Sequence, residues 1–254
     1  MRRTIYILIT ISLLVLTLSI FIKPIISYFA KKQLQNVSLE SGVSIEGFLL
    51  KRLSPFSIIR GRLEGDFYLR KIQYNKLRID DIQGRFLLER RRLFLSSLYA
   101  HVLGGDVSGD SGFIMDKSAA YSFNLKLTDL DMEKFVNDFN LKEKFLLTGK
   151  LSGAVNLLAE KADIKALSGD FSTSESGGVL IIKDNKFLEN MAINSGQSLD
   201  ILVENFQNYR YNTGMMKLSF DKGNLIFNID LEGGTGKRNL SITLHDFKLG
   251  SFAK

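Results

Sequence analysis

The sequence predicts a mainly β chain: an N-terminal transmembrane helix, then an antiparallel β-sheet with two or three short helices. Three observations carry this. Tyr121, Phe123, Leu125 and Leu127 alternate with polar residues, as do Leu225, Phe227, Ile229 and Leu231, which is the period of a strand with one buried face. Glycine is frequent (21) and proline scarce (2), so glycine punctuates the strands and no long disordered linker is expected. Finally, Ile5 to Ile22 is an eighteen-residue run without a formal charge.

Taken in order, residues 1–24 read as a membrane anchor. As a helix the apolar run is about 27 Å long, close to a hydrocarbon core. Phe21-Ile22-Lys23-Pro24 offers no small-x-small cleavage site, so an uncleaved span is favoured over a signal peptide. The short basic N-terminus places that end inside and exports the bulk of the chain. Residues 25–42 read as a helical linker with Ile25, Ile26, Phe29 and Leu34 on its apolar side and Gly42 at its end.

Residues 43–254 form the β domain. Val43 to Glu46, Arg62 to Leu69 and Ile72 to Ile79 are predicted strands. Gln83 to Glu89 and Leu93 to Leu103 form a hairpin whose turn holds the arginine run, a solvated turn on this reading. A helix opens near Asp129 to Glu133, with Leu130, Met132, Phe135, Val136 and Phe139 as its apolar surface. Val179 to Ile182 follow a glycine pair, and Phe187 to Met191 form one or two helical turns. Ser198 caps another helix with Leu199, Leu202, Val203 and Phe206 on one stripe. Tyr209 to Phe220 is a strand, Asp221-Lys222-Gly223-Asn224 a hairpin turn, and Leu240, Ile242 and Leu244 belong to the last strand.

A weak repeat runs through the first part of the domain. Gly61 to Gly65, Gly105 to Gly109 and Gly149 to Gly153 share the form Gly-charged-aliphatic-polar-Gly, with copies 44 residues apart. Glycines on one strand face permit a bend or a close approach.

Several chemistries are excluded. There is no Cys, and His101 and His245 are the only histidines, so neither a thiolate metal site nor a His-based one is expected, and no cofactor. Gly109-Asp110-Ser111-Gly112 has a serine-protease look, but His101 is ten residues away on the same hairpin. Asp106, Ser108 and Asp110 start like a calcium loop, yet Lys117 stands where the closing Glu belongs. Gly233 to Lys237 lacks the phosphate-loop spacing, and Asp80 and Asp81 would point to opposite faces of a strand. No catalytic residue is assigned.

The net charge is +7, and Lys51 to Arg92 holds twelve Lys/Arg against five Asp/Glu, an excess equal to that of the whole chain. Such a segment suits anionic headgroups or a solvated edge. Arg60, Arg62, Arg70, Lys71, Lys76 and Arg78 are the headgroup and membrane-surface candidates. Export argues against nucleic acid as the partner.

Leu98 to Gly109 is similar to the Tyr-Gly-Gly-x-x-x-Gly strand of AsmA-like proteins, and Leu127 to Met132 and Leu147 to Gly153 fit the same pattern. Leu167 to Phe171, Gly178 to Ile182, Val203 to Tyr211 and Leu231 to Gly233 resemble the C-terminal part of YdbH-like proteins. The resemblance covers roughly residues 75 to 249. It implies a single-pass protein of the bacterial inner membrane with its bulk in the periplasm, related to bridge-like lipid transfer proteins, and so a β-sheet that is curled, groove-like or taco-like. Phospholipid acyl chains and an outer-membrane or envelope protein are then the expected partners. The expected function is a non-enzymatic lipid-binding or lipid-transfer module serving phospholipid transport between inner and outer membranes. Tyr121, Phe123, Leu125, Leu127, Leu225, Phe227, Ile229 and Leu231 are the groove candidates. The other reading is a structural or accessory component of an envelope or type II secretion assembly, since GspN has a similar layout of anchor plus β domain.

Overall fold

The computed structural model describes residues 23–245 apart from 37, 39–42, 55, 56, 59, 117 and 162. The expected span over residues 5–22 and the helix end at Gly42 lie outside them. Among the described residues no helix is long and apolar enough to cross a membrane. Helix α1 covers residues 23–36. The strands that follow are β1 (Ser44–Leu53), β2 (Arg62–Tyr74), β3 (Leu77–Glu89), β4 (Arg92–Val102), β5 (Gly105–Ile114) and β6 (Ala120–Asp131). Helix α2 (Met132–Asp138) leads to β7 (Phe145–Leu147), β8 (Lys150–Glu160), β9 (Asp163–Thr173) and β10 (Gly178–Ile182). Then come α3 (Asn185–Ser195), α4 (Leu199–Phe206), β11 (Tyr209–Tyr211), β12 (Thr213–Asp221), β13 (Asn224–Gly233) and β14 (Gly236–Leu244).

Eleven strands form one antiparallel sheet in the order β1-β2-β3-β4-β5-β6-β8-β9-β12-β13-β14, with β1 and β14 unjoined. This is a meander, because nearly every connection is a short turn to the next strand. The strand ends fall along two margins. The first carries the β1–β2, β3–β4, β5–β6, β8–β9 and β12–β13 connections; the second carries β2–β3, β4–β5 and β13–β14.

A cap stands at the second margin. It consists of the three-stranded sheet β11-β10-β7 with α3 and α4. Asp184 and Ser198 cap these helices, accepting from the Phe187 and Ile201 amides. Leu180, Ile182, Leu188, Leu202, Phe206, Tyr209 and Tyr211 pack there against Leu231 of β13 and Leu240 of β14. The Tyr209 hydroxyl donates to Leu231 O and Gly236 O, and Tyr211 donates to Thr148 O at 2.5 Å. Burial pushes the Tyr211 hydroxyl up to about 12. A raised folded value means that its stabilisation is whole below the ordinary value of 10 and is lost as pH climbs through about 12. The wild-type chain is therefore expected to lose stability between these pH values, and Tyr211→Phe to flatten that slope, as followed by circular dichroism.

The structure corrects several expected boundaries. Residues 72–79 are not a strand of their own: they turn back at Asn75-Lys76, with Asn75 at φ 54°, between paired Tyr74 and Leu77. Leu130 belongs to β6 and is buried, and the helix starts only at Met132, capped by the Asp131 carboxylate. The run 209–220 divides between two sheets, because Asn212 donates its amide to Glu232 O at 2.8 Å and the chain crosses from the cap into β12. Asp80 and Asp81 were expected on opposite faces. A bulge at Asp81 (φ 52°) brings both to one face, where Arg78 binds Asp80 and the Tyr68 hydroxyl binds Asp81.

Candidate functional site

Cross-strand partners share a face, so the register sorts the side chains of the main sheet. One midline row runs across all eleven strands: Leu50, Phe67, Gly84, Leu98, Gly109, Leu125, Val155, Gly169, Leu218, Phe227 and Ile242. The row beside it holds Val107, Leu127, Gly153, Phe171, Met216, Ile229 and Leu240. On the other side lie Gly65, Phe86, Leu95, Ser111, Phe123, Leu157 and Leu167. The opposite face is mainly polar, with Asp110, Asn124, Asn156, Ser168 and Ser219 in register, although Phe94, Leu158 and Met215 stand exposed on it. One face of the sheet is thus almost uninterrupted hydrocarbon.

The two groups of groove candidates occupy this same face. Tyr121, Phe123, Leu125 and Leu127 on β6 are all half-buried. The rings of Phe113, Phe123 and Tyr121 stack edge to face, with centroids 5.5 and 6.0 Å apart. On β13 the environment changes along the strand. Phe227 is half-buried, Leu225 is buried near the first margin, and Ile229 and Leu231 are packed into or against the cap core. The cap thus occupies the second-margin end of the face at β13 and β14.

Glycines mark where this face lets backbone and rings come close. A Cβ on Gly153 would strike Asp170 O and approach Phe171 Cδ1 to 2.6 Å, so only glycine admits the Phe171 ring there. The second glycine of each repeat copy, Gly65, Gly109 and Gly153, lies on this face in β2, β5 and β8. Gly61 and Gly149 instead stand in the approach to a strand, at φ 71° and 107°.

Few polar groups reach the apolar face. Ser111 is buried there, opposite Phe123 and Leu95. Thr173 Oγ1 accepts from the Gly214 amide, and Arg238 lies over the Tyr209 ring at 5.0 Å and binds Asn205. His101 is on the other face, where its Nδ1 and the Tyr99 hydroxyl meet Asp106 at 2.6 and 2.8 Å. Ser111 and His101 are therefore separated by the sheet itself. Among the described residues no group of three or more His, Asp or Glu is placed to hold a metal ion.

The basic candidates are divided between the margins, and most have acidic partners. Arg62 pairs with Glu89 at 3.1 Å near the first margin, where Arg60 is exposed. Toward the second margin Arg70 and Lys71 share Glu46 at 2.7 and 3.1 Å, Arg78 binds Asp80, and Lys76 donates to Asn140. The Lys71 and Arg70 hydrogen bonds hold the Glu46 carboxyl below its usual range. They do not form one patch.

Sequence reasoning singled out β6 and β13 and missed Phe67, Phe86, Leu98, Phe171 and Leu218, which extend the same face. The alternation in β8 and β9 was available as a signal. In β3 and β4 it is broken by bulges at Asp81 and Ser97, so simple period-2 counting loses the face midway.

No curated protein and no solved structure matches the chain. The stretch from residue 63 to residue 233, nearly all of β2 through β13 with the cap inside it, matches the family described as "YdbH-like: Intermembrane phospholipid transport protein YdbH", and the chain belongs to that YdbH-like family.

Proposed function

We propose that phospholipid acyl chains lie against the apolar face, making this chain a lipid-binding and lipid-transfer module of the bacterial envelope. The observation that carries the reading is the eleven-strand apolar row, whose side chains are half-buried over most of its length while the mutually packed core is gathered in the cap. A conventional core would cover such a face with a second layer. Glycines and bulges spaced along it allow the sheet to curl into a groove around acyl chains, with the polar face outward.

In this reading residues 1–24 anchor the chain in the inner membrane, residues 25–42 link the anchor to the domain, and residues 43–254 stand in the periplasm. The sheet spans about 50 Å at ~4.8 Å per strand. Neither that width nor the strand length, about 43 Å for the thirteen residues of β2 at ~3.3 Å each, is a long reach, so transport to the outer membrane calls for an outer-membrane or envelope partner.

Photo-crosslinking tests the proposal directly. Benzophenone-alanine at Phe123 is expected to yield a phospholipid adduct in cells, seen by mass spectrometry, while the same probe at neighbouring Asn124 on the polar face yields none. No adduct at Phe123, or equal adducts at both positions, would sink the groove.

A further inference from the structure

The β3–β4 hairpin closes on a two-residue turn, Arg90-Arg91, between paired Glu89 and Arg92. Both turn residues are left-handed, at φ 48° and 79°. Such turns favour Asn-Gly, because side chains with a Cβ are strained at positive φ. Glycine stands second in the turns Leu103-Gly104 and Lys222-Gly223, whereas the turns at Asn75-Lys76 and Lys161 do without it. Among the described residues only Arg90-Arg91 puts two non-glycine residues in succession at positive φ, and it does so at an exposed tip. A strained choice of residue is grounds for seeking a function.

The surroundings say which. The Met115 amide donates to Arg91 O at 2.7 Å, tying the neighbouring β5–β6 tip to the arginine turn, and Met115 is 50% exposed. Helix α1 reaches the same margin, with Lys23 Nζ donating to Lys51 O at 3.0 Å near the end of β1. Close to that contact α1 exposes Ile25, Tyr28 and Phe29, at 54, 63 and 59%. The apolar run 5–22 precedes Lys23 in the sequence. Cations interleaved with exposed apolar and aromatic side chains are the composition of a surface that lies on a bilayer interface. The acids near this margin include Glu64, Asp66, bound by Arg52 and Arg85, Glu89, bound by Arg62, and Asp116, which Arg91 faces.

We propose that the first margin of the sheet, from α1 through the Arg90-Arg91 turn to Met115, docks on an anionic phospholipid bilayer. The sheet then meets the membrane by its strand ends at β3–β6, so that the mouth of the apolar face lies against the headgroups that hold the chains it takes up. This rests on the lipid-binding reading above for its purpose, and on its own geometry for its surface.

The chain has no cysteine, so single labels report cleanly. Full-length Met115→Cys and Glu143→Cys, the latter at the opposite margin, would each carry a nitrobenzoxadiazole label and be reconstituted with phosphatidylethanolamine/phosphatidylglycerol vesicles containing a spin-labelled quencher lipid. Quenching is expected at position 115 and not at 143, and it should fall in high salt and in pure phosphatidylcholine. Adding Arg90→Asn with Arg91→Gly should lower the docked-to-undocked ratio about thirtyfold, as two cations at about 1 kcal/mol each near an anionic surface require. The same pair should raise the thermal midpoint, because Asn-Gly suits the turn. That rise separates lost docking from lost folding. No quenching at 115, equal quenching at 143, or quenching indifferent to both salt and the arginine exchange would overturn the inference. The Phe123 crosslink, run in parallel, keeps the two claims apart. Adduct without quenching removes only the docking surface, and quenching without adduct supports docking while removing the groove.

Discussion

Phe206→Ala is expected to destabilise the chain by about 3–5 kcal/mol, the usual cost of deleting a buried ring and leaving its cavity. Phe206 is 3% exposed in the core that joins α3, α4, β10 and β11 to the second margin of the sheet, with its ring 6.5 Å from that of Tyr209. The ring it packs beside is held in place, since the Tyr209 hydroxyl bonds Leu231 O and Gly236 O. Phe123→Ala supplies the contrast. Its ring is half-buried on the open part of the apolar face and meets the rings of Phe113 and Tyr121, so a loss of about 1 kcal/mol is expected, in the range of cross-strand and aromatic pairs. Urea titrations of both variants check the pair. Equal costs would mean that the face is packed as tightly as the cap, and would count against a lipid surface.

Arginine at the same kinds of position should separate the two environments further. Ile229→Arg places a cation against the cap core and should unfold the chain at ordinary temperatures, because an unpaired buried charge costs several kcal/mol. Leu125→Arg, Phe227→Arg and Phe123→Arg fall on half-buried stretches, where the long side chain can carry its guanidinium out to water. These three should keep a melting temperature within a few degrees of wild type, while phospholipid recovered with the purified protein falls severalfold. Thermal scans and lipid mass spectrometry on the same preparations decide it. Unfolding of every variant, or no lipid with the wild type, would favour the structural envelope role over transfer.

Strand character was readable from local spacing wherever a strand kept its period. Tyr121 to Leu127 and Leu225 to Leu231 alternate without interruption, and both lie in strands with one apolar face. The hairpin turns at Arg90-Arg91 and Lys222-Gly223 were also legible, one from its charge run and one from its glycine. The β2–β3 turn was not, because Asn75-Lys76 lacks the glycine that usually announces such a turn, and the apolar residues on either side read as a single strand.

The apolar face depends on more than alternation. Within one strand the sequence determines which side chains share a side, since the backbone alternates with period 2. It cannot determine which strand lies beside which, nor whether a second layer covers their common side. Those follow from long-range pairing and from the cap, whose contributing residues come from β7 to β14 with no common spacing. The alternation alone thus marked Phe227 and Leu231 as equivalents. Only the tertiary structure parts them, by packing Tyr211, Leu180 and their neighbours into the core around Leu231 and leaving Phe227 on the half-buried stretch of the sheet.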